Sequence, residues 1–111
     1  IERLKELGVK YLVISGGEPL KDKDFTKIIE HAYKNGFLSL VQSNGLLLDK
    51  KILGKIKGKV IGLEISLEGL KKEHNKLQGK DNFYKVVDNI RLAKSFGIEI
   101  LTNLTITKIN H

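Results

Sequence analysis

The chain has 111 residues, 41% of them apolar, and 20 basic against 13 acidic side chains give it a net charge of +7. That length allows one domain or a portion of one, with enough apolar side chains to bury a core. It contains no cysteine, which excludes disulfides, thiolate nucleophiles and any cysteine-ligated zinc or iron–sulfur centre held by these residues.

No run approaches the roughly 18 apolar residues of a membrane span. The first residues, Ile1-Glu2-Arg3-Leu4-Lys5-Glu6, lack the basic-then-apolar order of a signal peptide and include no initiator methionine. The expectation is a chain that starts inside a longer protein, in a cytoplasmic setting. Nearly all the positive charge is lysine, with Arg3 and Arg91 the only arginines, and aromatic residues make up 6%. A nucleic-acid reader relies on arginine forks and stacking aromatics, so Lys21, Lys27, Lys34, Lys50, Lys55, Lys72 and Lys94 read as a solvated surface.

In chain order, Ile1, Leu4 and Leu7 follow helical spacing up to Gly8. A first strand is predicted over about Lys10–Ser15, and it breaks into Gly16-Gly17-Glu18-Pro19. Asp24 is placed to cap a helix whose apolar residues are Phe25, Ile28, Ile29, Ala32 and Tyr33, stopped by Asn35-Gly36. A second strand over about Leu38–Ser43 ends in Asn44-Gly45. Asp49 then caps a shorter helix carrying Ile52, Leu53 and Ile56 up to Gly58.

The third strand spans Val60–Leu67 and ends in Glu68-Gly69; Leu70–Asn82 is polar, with at most one helical turn near Lys72–Leu77. A helix over about Phe83–Ser95 carries Phe83, Val86, Val87, Ile90 and Ala93 on one face and stops at Gly97. A fourth strand runs from Ile98 to about Thr107. Strands alternating with amphipathic helices predict an α/β fold of parallel strands joined by crossovers.

Alternation along the strands predicts one apolar face for helices and one face of small or polar groups. Ile61, Leu63, Ile65 and Leu67 oppose Gly62, Glu64, Ser66 and Glu68, and Leu12 and Ile14 oppose Val13 and Ser15. On the second strand Leu38 and Leu40 are assigned to the apolar face, against Ser39, Val41 and Ser43. On the fourth, Ile98, Ile100, Leu104 and Ile106 alternate with Glu99, Leu101, Asn103, Thr105 and Thr107. This suits a curved, barrel-like sheet around a polar cavity, open or completed elsewhere because about four strands do not close a barrel.

Sites of such sheets form at the C-terminal strand ends. Ser15–Glu18, Ser43–Gly45, Ser66–Gly69 and Asn103–Thr107 all fall there. Each cluster alone is explained as turn chemistry; four at one edge suit a neutral or zwitterionic ligand such as a nucleoside or an amino acid. No Walker loop is present, so a triphosphate is not indicated. His31, His74 and His111 read as incidental, and Asp22 and Asp24 as helix-start residues. Glu64 and Glu68 share a strand face, an arrangement that can pair a general acid with a base, but no partner nucleophile accompanies them.

Ile14-Ser15-Gly16-Gly17-Glu18-Pro19-Leu20 resembles the GGEP motif of radical S-adenosylmethionine enzymes. Gln42-Ser43-Asn44-Gly45 is similar to that family's T/S-N-G strand end, and Glu64-Ile65-Ser66-Leu67-Glu68-Gly69 to its S-[LIV]-D-G segment, with Glu68 in place of the usual Asp. The stretches Gly79–Ile90 and Gly97–Asn110 resemble the branch of molybdenum-cofactor and peptide-maturation enzymes.

The resemblance implies a partial (β/α)₆, TIM-like barrel of which residues 1–111 supply the second to fifth strands, as the central portion of its domain. It implies that backbone groups of Gly16 and Gly17 meet the methionyl amine of S-adenosylmethionine while Glu18 supports their loop. It implies that the Ser66 hydroxyl contacts the same cofactor, that Ser43 and Asn44 face cofactor or substrate, and that Asn103 points into the cavity. The family's C-x₃-C-x₂-C loop, which holds a [4Fe–4S] cluster, is not in this sequence; it would precede Ile1. The expectation is therefore an inactive portion of an enzyme that cleaves S-adenosylmethionine to a 5′-deoxyadenosyl radical acting on an unidentified substrate. The contrasting expectation is a non-catalytic α/β module binding a nucleotide or a protein. An open sheet is also expected to self-associate through its edges.

Overall fold

Short apolar runs rich in β-branched residues form four parallel strands, and amphipathic segments between them form the helices. The computed structural model describes residues 2–66 and 83–103. A short helix α1 (Glu2–Glu6) precedes β1 (Tyr11–Ile14), which leads through a 3₁₀ turn at Pro19–Lys21 into α2 (Phe25–Lys34). β2 (Leu38–Ser43), α3 (Lys50–Ile56), β3 (Gly62–Ser66), α4 (Phe83–Ser95) and β4 (Ile100–Asn103) follow. The predicted order of strands and helices is thus present in the described residues. The polar segment expected to hold at most one helical turn lies outside them, as does the predicted continuation of the last strand.

The sheet runs β1-β2-β3-β4, in sequence order, with every neighbour parallel. Ile14 is opposite Val41, Val41 opposite Leu63, and Leu63 opposite Ile100. Those residues define the face that packs on helices. Val41, Leu63 and Ile65 are fully buried there against Phe25 and Ile29 of α2, Leu53 and Ile56 of α3, and Val86 and Ala93 of α4. Burial of such side chains is the main favourable term in folding, at about 1.5–3 kcal/mol each.

Three local expectations are corrected. On β2 the register places Ser39, Val41 and Ser43 on the helix side, all buried, and leaves Leu38 and Leu40 on the opposite, inner face. The inner face is therefore apolar along its first half, where Tyr11, Val13 and Leu38 stand exposed, and turns polar toward the strand ends, with exposed Leu101 level with Gln42 and Glu64. On α2, Phe25, Ile29 and Ala32 are buried while Ile28 and Tyr33 remain exposed. Asp24 occupies the N-cap position of α2, but its side chain makes no cap hydrogen bond. Instead Asp22 Oδ1 accepts from the Asp24 N–H at 2.8 Å. Asp49 does cap α3, accepting from the Ile52 N–H at 2.8 Å.

Candidate functional site

The C-terminal ends of β1, β2 and β3 meet at one rim, which follows from their parallel pairing. Ser15, Gly16, Gly17 and Glu18 from the loop after β1, Gln42, Ser43 and Asn44 from β2 and its exit, and Glu64 and Ser66 from β3 line one cavity of about 340 Å³. That volume is at the lower end of the range for small-molecule sites. Six of the residues singled out by the resemblance, Gly16, Gly17, Glu18, Ser43, Asn44 and Ser66, are among these. The seventh, Asn103, is the register partner of Ser66 on β4.

Glu18 organises the rim. Its backbone is extended (φ −107°, ψ 107°) at the N-cap of the 3₁₀ turn, and its carboxylate reaches across to β2. Oε2 accepts from the Leu20 N–H at 3.1 Å and the Ser43 hydroxyl at 3.0 Å, and Oε1 accepts from the Asn44 N–H at 2.9 Å. The Ser43 hydroxyl in turn accepts from the Gly45 N–H at 3.0 Å, and Asn44 Oδ1 from the Leu46 N–H at 2.9 Å. Two strand ends that are separate in sequence are thereby locked together by one side chain.

The glycine loop is built differently from the rest of the rim. Gly16 has φ +99°, a conformation that only glycine adopts without strain. A Cβ added at Gly16 or Gly17 would meet nothing within 4 Å. The protein itself therefore does not require Gly17 for space; an open face above it lets another molecule approach the backbone.

Below the rim, Gln42 Nε2 donates to Glu64 Oε2 at 2.6 Å across β2 and β3. Behind it, Asn89 of α4 donates through Nδ2 to the Gly45 carbonyl at 2.7 Å and to the Leu46 carbonyl at 3.3 Å. Asn89 was not anticipated. Its signal is a polar residue in phase with the buried stripe of Val86 and Ala93. Gln42 and Glu64 appeared in the quoted motifs without an assigned role as a pair. Glu68, the partner considered for Glu64, lies outside the described residues, as do His74 and His111; His31 is exposed on α2.

Among the described residues the cavity lining contains two carboxylates and no lysine, arginine or histidine, although the chain carries a net charge of +7. Among the described residues no group of three or more His, Cys, Asp or Glu side chains is placed to hold a metal ion. With no cysteine in the sequence, these residues do not supply thiolates for an iron–sulfur cluster. Among the described residues no helix is long and apolar enough to cross a membrane.

A parallel sheet with helices packed on one face and a ligand-sized cavity at the C-terminal strand ends defines an α/β partial-barrel protein. The chain belongs to the radical SAM superfamily, whose family model matches residues 1–110. It is 36% identical over 109 residues to a probable GTP 3′,8-cyclase of Metallosphaera sedula, covering 95% of this chain and 34% of the relative. It is 29% identical over 114 residues to the Fe-coproporphyrin III synthase of Methanosarcina barkeri, covering 99% of this chain and 28% of the relative. The chain thus spans about a third or less of the length of these two relatives. Among solved structures, Streptococcus suis SuiB superposes with a TM-score of 0.82 at 22% identity, covering 96% of this chain and 25% of that one. The likeness to SuiB bears on the fold, four parallel strands alternating with helices as part of a radical SAM barrel.

Proposed function

We propose that this chain is the cofactor-binding portion of a radical SAM enzyme, with the strand-end cavity receiving S-adenosylmethionine. Backbone groups of Gly16 and Gly17 take the methionyl amine, with Glu18 holding their loop. Ser66 offers its side chain from β3, and Ser43, Asn44 and Asn103 border the same space. The observation that carries this reading is the open glycine loop, pinned to the end of β2 by the Glu18 carboxylate over an acidic cavity. An acidic cavity suits a ligand that brings an ammonium and a sulfonium charge. The solved structure of native anSMEcpe with bound AdoMet, 28% identical to this chain with a TM-score of 0.69, supports it further; the match covers 83% of this chain and 28% of that one.

In the family the cofactor and a [4Fe–4S] cluster supply radical chemistry; the residues of this chain bind and orient. Cluster ligands are assigned to residues outside this sequence, so turnover is not ascribed to the 111 residues alone. The substrate on which the whole enzyme acts is left open by relatives as different as a GTP cyclase and a porphyrin-derivative synthase. We also propose that the uncovered sheet associates with a second copy when the chain stands alone.

The test is a titration of the chain with S-adenosylmethionine, followed through the amide resonances of Gly16 and Gly17. Those resonances are expected to shift saturably. Gly17→Ala, whose added methyl meets no protein atom, is expected to keep the fold and weaken binding about tenfold or more by occupying the ligand's approach. Unshifted Gly16 and Gly17 resonances, or equal affinity in Gly17→Ala, would overturn the reading.

A further inference from the structure

The two carboxylates of the cavity have unequal surroundings. Glu18 has both oxygens engaged, by three donors from the protein. Glu64 is half-buried, and Gln42 Nε2 is the one donor it receives among the described residues. It forms no ion pair among those residues, and no basic side chain among them lines the cavity. A carboxylate oxygen can accept two hydrogen bonds, so after the contact with Gln42 both oxygens of Glu64 keep capacity.

The position of the pair is fixed by the sheet rather than by a loop. Gln42 and Glu64 are register partners on adjacent parallel strands, and Glu64 is in register with Leu101 on the other side. Glu64 therefore stands where the apolar floor of the inner face gives way to the polar rim. A carboxylate taken partly out of water beside apolar side chains, and given one neutral donor, is a costly arrangement unless a ligand completes it. An anionic ligand group would be repelled there. A neutral group with one donor would leave the charge uncompensated. A planar cation with two parallel N–H donors matches both the charge and the fork geometry of a carboxylate.

We propose that Glu64, aligned by Gln42, is the specificity-determining residue of this cavity and receives an amidine- or guanidine-like nitrogen cation of the bound molecule. The assignment rests on the cavity being a ligand site, as in the proposed function, but not on S-adenosylmethionine being its occupant. S-adenosylmethionine carries an ammonium and a neutral adenine rather than an amidinium, so the donor group belongs to a second ligand lying on the inner face.

The experiment uses acetamidine as the probe, with neutral acetamide and anionic acetate as comparisons, followed by the side-chain amide resonances of Gln42 and the methyls of Leu40 and Leu101. Acetamidine is expected to shift them saturably, acetamide weakly and acetate not at all. Glu64→Gln, which preserves size, is expected to lower acetamidine affinity about tenfold, the difference between a charge-assisted and a neutral contact. Gln42→Met, which keeps the charge and loses the alignment, is expected to lower it less. It serves as the deciding variant if Glu64→Gln does not fold.

Acetamidine is expected to bind together with S-adenosylmethionine, as a second ligand would; mutually exclusive binding would overturn that assignment. Equal responses to acetamidine and acetamide, or wild-type affinity in Glu64→Gln, would overturn the proposal. Failure of S-adenosylmethionine to shift Gly16 and Gly17 would overturn the cofactor reading alone, because the acetamidine response is read at different residues.

Discussion

Removing the Glu18 carboxylate leaves the Asn44 N–H and the buried Ser43 hydroxyl without their acceptor, and the turn at Leu20 without its cap. Hydrogen bonds to charged groups contribute about 1.5–3 kcal/mol, and orphaned buried donors cost a similar amount. Glu18→Ala is therefore expected to destabilise the chain by about 2–3 kcal/mol, and Glu18→Gln by about half of that, because one acceptor oxygen remains. Urea unfolding midpoints of the two variants check this; equal midpoints for Glu18→Ala and wild type would show the lacing to be energetically idle. The glycines and the acid of this loop were legible in the sequence because they are consecutive and follow a strand. The partners of Glu18 were less so. A carboxylate that crosses to another strand leaves no mark in local spacing, and the same holds for Asn89, which reaches from α4 to the backbone at Gly45 and Leu46. Asp24 shows the converse: its position is that of a cap, yet its neighbour Asp22 takes the hydrogen bond.

At the scale of elements, the exit of β2 is wedged between β3 and α4. Gly45 has φ +79°, and a Cβ there would lie 3.1 Å from Ile65 Cγ2 and 3.3 Å from Val86 Cγ1. Both contacts are tighter than side chains tolerate without shifting, and both partners are buried in the core. A left-handed conformation costs an alanine about 1–2 kcal/mol and overpacking about 1–3 more. Gly45→Ala is thus expected to lose about 2–5 kcal/mol in urea unfolding, whereas Gly17→Ala, with open space, loses little. A similar loss in both variants would refute this packing account. The sequence marks Gly45 only as a turn residue, since the core methyls it meets come from distant elements. The faces of β2 were misjudged for a related reason. Leu38 and Leu40 alternate with serines, so local pattern places them inward against helices. Pairing decides otherwise, because Val41 is in register with Leu63, and Leu63 belongs to the helix-packed face. Where both faces of a strand carry apolar residues, periodicity shows that they alternate but not which one is covered.

For the whole molecule, that inversion exposes an apolar inner face. Tyr11 is 67% exposed, Val13 58%, Leu101 48% and Leu38 43%, all on the side of the sheet that no described helix covers. The described sheet also ends at β1 and β4, whose outer edges have no strand neighbour among the described residues. A contiguous apolar surface beside open strand edges favours pairing with another chain. The alternation of strands and helices foretold the open sheet, but not that the lower half of its inner face is apolar. Isolated from any longer protein, the chain is expected to form dimers or larger species as its concentration rises from micromolar to millimolar in sedimentation velocity. Val13→Lys and Leu101→Lys place charge on that face and leave the helix-packed core untouched. Together they are expected to weaken association by about tenfold or more, since each removes apolar area and adds like-charge repulsion between copies. A wild-type chain that stays monomeric across that range would show that the apolar face alone does not drive association. An associating chain indifferent to both lysines would place the contact at the strand edges instead.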